Sequence, residues 1–137
     1  MRRRVFADTS ALVALYDPRD QNHLAAKVEY NELNAAGTVL IATTDVFGET
    51  VTLLQARAGH AAAVAAGVML RSETNWRLFP VEDSAREAAW EMFCKFDDKR
   101  YSLTDCTSFV TMQRMRIQEA LTFDSDFRKM GFTILPH

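Results

Sequence analysis

Cysteine and histidine are scarce in this chain. Cys94 and Cys106 are the only thiols, and His23, His60 and His137 stand far apart. No CxxC pair and no Cys/His spacing occurs, which excludes the usual zinc sites. A long apolar run is also missing. The longest, Ala61 to Leu70, is too short and too rich in alanine to span a bilayer. Met1-Arg2-Arg3-Arg4 leads straight into a strand-like segment rather than into an apolar leader. Two thiols and no leader predict a reducing, cytoplasmic setting with no membrane partner. Neither sign of charge dominates, with 16 Lys and Arg against 18 Asp and Glu and a formal net charge of −2. That is not the bulk footprint of a nucleic-acid binder. Two divalent ions in an acidic site would, however, reverse the sign of the sum. No repeat, linker or low-complexity stretch divides the 137 residues, so a single domain over 1–137 is expected. A chain of this length buries a core without staples.

The apolar pattern alternates between strand-like and helix-like periods. Val5-Phe6-Ala7 is a short strand, ended by Asp8-Thr9-Ser10, whose oxygens can cap a helix over about 11–16. Asp17-Pro18 stops that helix. Residues 23–36 form an amphipathic helix with Leu24, Val28 and Leu33 inward. Val39 to Ala42 is a buried strand. Thr43-Thr44-Asp45 caps a helix that runs to Ala58 before Gly59, with Phe47, Val51, Leu54 and Ala58 as its core stripe. An alanine-rich helix over about 60–71 and a strand at Arg77 to Val81 follow. Ser84 and Glu87 have capping-box spacing for the next helix. Trp90 and Phe96 read as core or groove aromatics, and Arg2, Arg3 and Arg4 as solvated charge. A helix over about 104–115, a strand at Ala120 to Phe123, a turn at 124–126 and a strand at 133–135 complete the chain. Strands alternating with helices predict an α/β fold with a parallel sheet covered on both faces.

Within this pattern, carboxylates recur where chemistry is placed in α/β folds, at strand ends and helix starts. Asp8 ends the first strand and Asp124 the fourth. Asp105 opens a late helix, on one stripe with Phe109 and Met112. Asp126 follows two residues after Asp124. Spacing alone leaves Asp8 open between a plain N-cap and a functional acid. It also leaves Glu49, bordered by Val46 and Leu53, open between solvent and site. If the first and fourth strands are neighbours, these acids share a crevice. Clustered carboxylates repel one another, and a hard divalent cation with oxygen ligands relieves that repulsion. The absence of nearby Cys or His ligands favours Mg²⁺ or Mn²⁺ over zinc. Such ions serve phosphodiester hydrolysis by activating water and stabilising the attacking and leaving oxygens.

These residues resemble the PIN domain (PilT N-terminus) nucleases along essentially the whole chain. The resemblance rests on Asp8-Thr9-Ser10, Glu49, Thr104-Asp105 and Thr122-x-Asp124-x-Asp126-Phe127 in that order. The likeness is greatest to the small bacterial and archaeal branch that includes VapC-type toxins. It implies a three-layer α/β/α fold with strand order 3-2-1-4-5, which sets Asp8 beside Asp124. It implies Asp8, Glu49, Asp105 and Asp124 as catalytic acids. Those four and the accessory Asp126 would hold one or two Mg²⁺ or Mn²⁺ ions. Thr9, Ser10, Thr104 and Thr122 would supply hydroxyls that orient carboxylates or water. Cys106 departs from the alanine common after the aspartate, and the Lys99-Arg100 region is less acidic than in many relatives.

The expected activity is metal-dependent endoribonuclease cleavage of RNA, with a small antitoxin protein as partner and a homodimer as the assembly. The alternatives are a non-toxin PIN nuclease of RNA processing and a catalytically silent RNA-binding PIN module. A phosphatase-type aspartyl nucleophile calls for Asp-x-Asp after the first strand, where this chain has Asp8-Thr9-Ser10. A receiver-type site calls for a paired acid and a late lysine, neither of which is evident.

Overall fold

The structure, a computed structural model, describes residues 2–72 and 74–137. Five strands form one parallel sheet: β1 (Arg4–Ala7), β2 (Val39–Thr43), β3 (Trp76–Phe79), β4 (Glu119–Leu121) and β5 (Thr133–Leu135). Their order is β3-β2-β1-β4-β5, as expected. The chain winds outward from β1 in both directions, so β1 and β4 are neighbours, with Phe6 opposite Ala120 and Ala7 opposite Leu121. This is the switch point of a doubly wound sheet, where a crevice opens beyond the strand ends. Among the described residues seven helices connect and cover the strands: α1 (Thr9–Tyr16), α2 (His23–Ala35), α3 (Thr44–Ala58), α4 (His60–Leu70), α5 (Asp83–Lys95), α6 (Leu103–Met115) and α7 (Asp126–Lys129). No helix among the described residues is long and apolar enough to cross a membrane.

The central strands bury both faces. Val5, Phe6, Ala7, Leu40, Ile41 and Ala42 are all at most 2% exposed, which explains their unbroken apolar runs. Around α6 the core is aromatic. Phe109 meets Tyr101, Phe127 and Phe132 at centroid distances of 5.3, 4.8 and 6.2 Å. This stack fixes the start of α6 against the end of β4, two places where carboxylates lie.

Several expectations need correction. In α2 the inward stripe is Ala26 and Leu33 with Tyr30 between them, while Leu24 and Val28 are exposed. Tyr30 stacks on buried Trp76 and thereby sets the helix phase; alanine at position 26 gave the true stripe too weak a signal. In α3 the buried stripe is Val46, Thr50 and Leu54, and Phe47, Val51 and Ala58 flank it half-buried. Ser84 does not cap α5. It lies inside the helix and its Oγ accepts from Arg114 at 2.7 Å, while Glu82 holds the cap position with no side-chain bond. Of the core and groove readings of Trp90, the core one fails: it stacks on Phe93 at the surface, and the two are 52% and 40% exposed, while Phe96 packs against the core. Nor are the N-terminal arginines merely solvated. Arg2 donates to the Gly37 carbonyl, Arg3 pairs with Glu119, and Arg4 donates to the Met115 carbonyl. They tie the start of β1 to its surroundings; Met1 lies outside the described residues. The turn after β4 runs on into α7, a single turn too short for a periodic signal.

Candidate active site

The crevice at the β1/β4 switch point is a cleft of about 350 Å³. Asp8, Glu49, Asp105 and Asp124 all line it. Sequence separation of more than a hundred residues is thus closed by topology alone. Asp8 leaves the end of β1, Glu49 projects from the second turn of α3, Asp105 sits in the first turn of α6, and Asp124 follows β4.

Asp8 is both an N-cap and a cleft residue, so the two readings of it are not exclusive. It caps α1, and its Oδ2 accepts from the Ser10 N–H at 3.3 Å, the Ser10 hydroxyl at 2.8 Å and the Thr122 hydroxyl at 2.9 Å. The same hydroxyls accept from the chain beyond β4. Ser10 Oγ takes the Phe123 N–H at 3.0 Å, and Thr122 Oγ1 takes the Asp124 N–H at 3.0 Å. Ser10 and Thr122 therefore lock the end of β1 to the loop that carries Asp124. Asp124 in turn accepts the Asp126 N–H on its Oδ1 at 2.9 Å.

Asp105 is held differently. Ser102 is the N-cap of α6, and its Oγ accepts the Asp105 N–H at 2.9 Å. Asp105 Oδ2 returns the bond to the Ser102 N–H at 3.1 Å, which makes a capping box. Sequence reasoning did not single out Ser102, although its spacing three residues before an acid is the signal for such a box. It did assign orienting hydroxyls to Thr9 and Thr104, and the structure gives neither a carboxylate partner. Thr9 Oγ1 is buried without a hydrogen bond, and Thr104 contributes only its carbonyl, to Thr107. Because Ser102 fixes the Asp105 rotamer, Ser102→Ala is expected to lower stability by about 1 kcal/mol. A urea melt measures that loss, and an unchanged midpoint would mean that the box contributes nothing.

One pattern unites Asp8, Asp105 and Asp124. Each has one oxygen engaged by protein donors and a second oxygen with no hydrogen bond among the described residues. Carboxylate oxygens of Asp105, Asp124 and Asp126 lie within 4.8 Å of one another. That separation suits oxygen ligands on opposite sides of one hard cation. Asp126 belongs to this tight group, and Lys129 Nζ stands 3.7 Å from its Oδ1. Asp8 and Glu49 line the same cleft outside the group.

The electrostatics agree with an acidic site whose carboxylates outnumber the cations beside them. Burial, opposed by its Ser102 bonds and reinforced by the charges of Asp8 and Asp124, pushes the Asp105 carboxyl up to about 6. Burial also raises Asp8, which is only 4% exposed, and outweighs the Ser10 and Thr122 donors. Asp124 is raised by burial too, with the Asp126 charge adding to it and the Asp126 N–H and Lys129 opposing it. Such carboxyls ionise fully when a cation replaces the missing solvation. The donor set is all oxygen, which fits a hard divalent cation and not a soft metal.

The PIN domain family pattern matches residues 5–133. The chain belongs to the PIN domain family. Among similar proteins, this PIN domain is 41% identical over 129 residues to the 23S rRNA-specific endonuclease VapC20 of Mycobacterium tuberculosis (strain ATCC 25618 / H37Rv). That match covers 93% of this chain and 95% of VapC20. It is 28% identical over 138 residues to Ribonuclease VapC26 of the same organism, covering 94% and 98% of the two chains. The crystal structure of VapC20, described as a Sarcin-Ricin loop cleaving toxin, superposes with a TM-score of 0.84 at 40% identity. The superposition covers 94% of this PIN domain and 96% of that chain.

Two further polar residues line the PIN domain cleft that the sequence reading passed over. Asp20 and Asn22 come from the loop between α1 and α2, where Asp20 Oδ1 accepts the Asn22 N–H at 2.8 Å. Arg57 also lines it, from the last turn of α3. Nothing in the local sequence marks the loop. Arg57, by contrast, lies on the helical stripe of Glu49, eight residues on.

Proposed function

We propose that this protein is a divalent-metal-dependent endoribonuclease, acting as a single PIN domain in the cytoplasm, and the toxin of a VapBC-type toxin–antitoxin pair. The observation that carries this reading is the set of free carboxylate oxygens on Asp8, Asp105 and Asp124, held in one cleft by engagement of their other oxygens. The 41% identity to an rRNA endonuclease over nearly the whole chain supports it. Asp8, Asp105 and Asp124, with Asp126, would hold Mg²⁺ or Mn²⁺. A bound divalent ion supplies positive charge to the phosphoryl oxygens and lowers the pKa of water. Glu49 faces the same cleft and would either join the ion or orient the attacking water. Ser10, Thr122 and Ser102 keep the aspartates from turning away when substrate arrives.

Water is the nucleophile in this reading, and the products carry a 5′-phosphate and a 3′-hydroxyl. The nearest thiol does not compete. Cys106 is fully buried beside Asp105, and burial and that neighbouring charge push it up to about 11. The substrate is single-stranded or looped RNA, and 23S rRNA is the first to try, since VapC20 is specific for it. A small antitoxin is the protein partner. The functional assembly is a homodimer with two-fold symmetry, which joins two shallow clefts into a longer groove. Light scattering at micromolar concentration is expected to give twice the chain mass, and a monomer alone would remove the dimer from this reading.

Expression without an antitoxin is expected to arrest growth, and Asp8→Asn to restore it. Growth curves with matched protein levels decide the matter. Equal toxicity of the two proteins would show harm that is not nucleolytic. Harmless expression of a protein active in vitro would assign it to RNA processing instead of a toxin pair.

A further inference from the structure

We propose that Arg57, held in place by Arg19, forms a phosphate-binding subsite at one end of the acidic cleft and takes a backbone phosphate flanking the cleaved bond. The inference rests on the ribonuclease reading above. Glu49, Leu53 and Arg57 are spaced four residues apart on α3, and all three line the cleft. A helix brings such residues to one stripe, two turns or about 12 Å from end to end. One end of this stripe carries an acid and the other a guanidinium.

Arg57 is the single cation among the described residues lining the cleft. The ion pairs among the described residues lie elsewhere: Arg3 with Glu119, Arg86 with Asp45, Lys99 with Asp98 and Lys129 with Asp126. Among the described residues the Arg57 guanidinium has no ion-pair or hydrogen-bond partner, although acids line the same cleft. A guanidinium left open in this way presents a planar fork that matches a phosphate. Arg19 anchors the backbone that carries it. Its guanidinium donates to the Arg57 carbonyl at 2.6 Å, and its backbone N–H donates to Asp17 Oδ1 at 3.1 Å. The loop after α1 is thereby fastened to the last turn of α3.

The simpler account makes Arg57 a cation at a helix C-terminus, where the macrodipole favours positive charge. That account explains its position in the last turn but gives it no part in RNA binding. The subsite explains in addition why it shares the cleft. RNA is a polyanion, and an acidic cleft repels it wherever no cation is present. A positive end gives the strand a direction across the site.

The test uses the full chain, a fluorescein-labelled single-stranded oligoribonucleotide, Mn²⁺ and a series of KCl concentrations. Arg57→Ala is expected to raise KM about tenfold, with a much smaller change in kcat. Its log(kcat/KM) should fall less steeply with log[KCl], by about 0.7 for one lost phosphate contact. Arg57→Lys keeps the charge and loses the fork, so it should restore the salt slope and only part of the affinity. An Arg57→Ala variant with wild-type KM and salt slope overturns the subsite, as does one whose only change is a lower melting temperature. If the wild-type protein cleaves no RNA, the ribonuclease reading fails by itself. Fluorescence anisotropy of the same strand in chelator then decides the subsite. Weaker binding with a shallower salt slope in Arg57→Ala supports it, and equal or absent binding in both proteins overturns it.

Discussion

In chelator at neutral pH, Asp105→Asn is expected to melt above the wild-type protein, and on adding Mn²⁺ the order should reverse. The reason lies in the cleft. Asp105 titrates at about 6 in the folded protein, against an ordinary value of 3.8. The folded state therefore binds this proton more tightly than the unfolded chain does. Stability from it is fully present below about pH 4 and is lost as pH rises through about 6. Asp8 and Asp124 are displaced in the same direction and add to the loss. For Asp105 the effect is on the order of 1–2 kcal/mol once solvent screening of this half-buried group is allowed for. Asparagine removes the charge, keeps an oxygen for the Ser102 N–H, and so escapes the penalty. A divalent ion removes it for the wild type and binds only the folded state. At about 100 times its dissociation constant, one ion stabilises by about 2.7 kcal/mol. That gain should grow as pH rises through about 6, because the ion competes with the proton on Asp105. Melting curves for both proteins, with chelator and with Mn²⁺, at pH values on either side of 6, read all of this. If the wild type gains nothing from Mn²⁺, or the variant gains as much, Asp105 is not a metal-site residue and remains only part of the capping box with Ser102.

The sheet order and the place of the cleft could be read from the chain because they rest on coarse signals. Val5-Phe6-Ala7 and Val39 to Ala42 are unbroken apolar runs, and a run buried on both faces belongs in a parallel sheet. Asp8 and Asp124 follow such strands directly, so their positions are set by topology and not by side-chain detail. Finer features depended on which of two weak stripes a helix buries. In α2, Leu24 and Val28 outweigh Ala26 by side-chain size, yet Tyr30 packing on Trp76 turns the alanine inward. In α3 the buried Thr50 reads as polar, and this displaced the expected stripe by about one residue.

The site shows the same division. The acids were visible as acids, and the PIN resemblance gathered Asp8, Glu49, Asp105 and Asp124, which the structure places in one cleft. Their supports were harder to assign, because hydroxyls near an aspartate are common and only geometry shows which of them bond to it. Ser10 and Thr122 do so, while Thr9 and Thr104 do not. Ser102 was overlooked because Asp105 looked like the residue that opens the helix. It is in fact the third residue of α6 and pairs back to its cap. Arg57 drew no notice, since a lone arginine at a helix end has an ordinary explanation in the dipole.

The second large effect concerns chemistry. Asp124→Asn is expected to lower RNA cleavage on the order of 10²–10³-fold, the scale of losing one preorganised electrostatic group. An asparagine Oδ1 can still accept the Asp126 N–H, so the loop should keep its shape. What is lost is the charge in the group that Asp124 forms with Asp105 and Asp126.

Cleavage of purified 23S rRNA, followed on a gel for wild type and Asp124→Asn, with Mn²⁺ and with chelator, tests the metal-dependent nuclease most directly. The expected result is discrete fragments from the wild type with Mn²⁺ alone, and intact RNA in the other three reactions. Fragments of equal yield in chelator, or from Asp124→Asn, would contradict a metal-dependent active site in this cleft. RNA that the wild type binds but leaves intact in Mn²⁺ would make the protein a silent RNA-binding PIN domain.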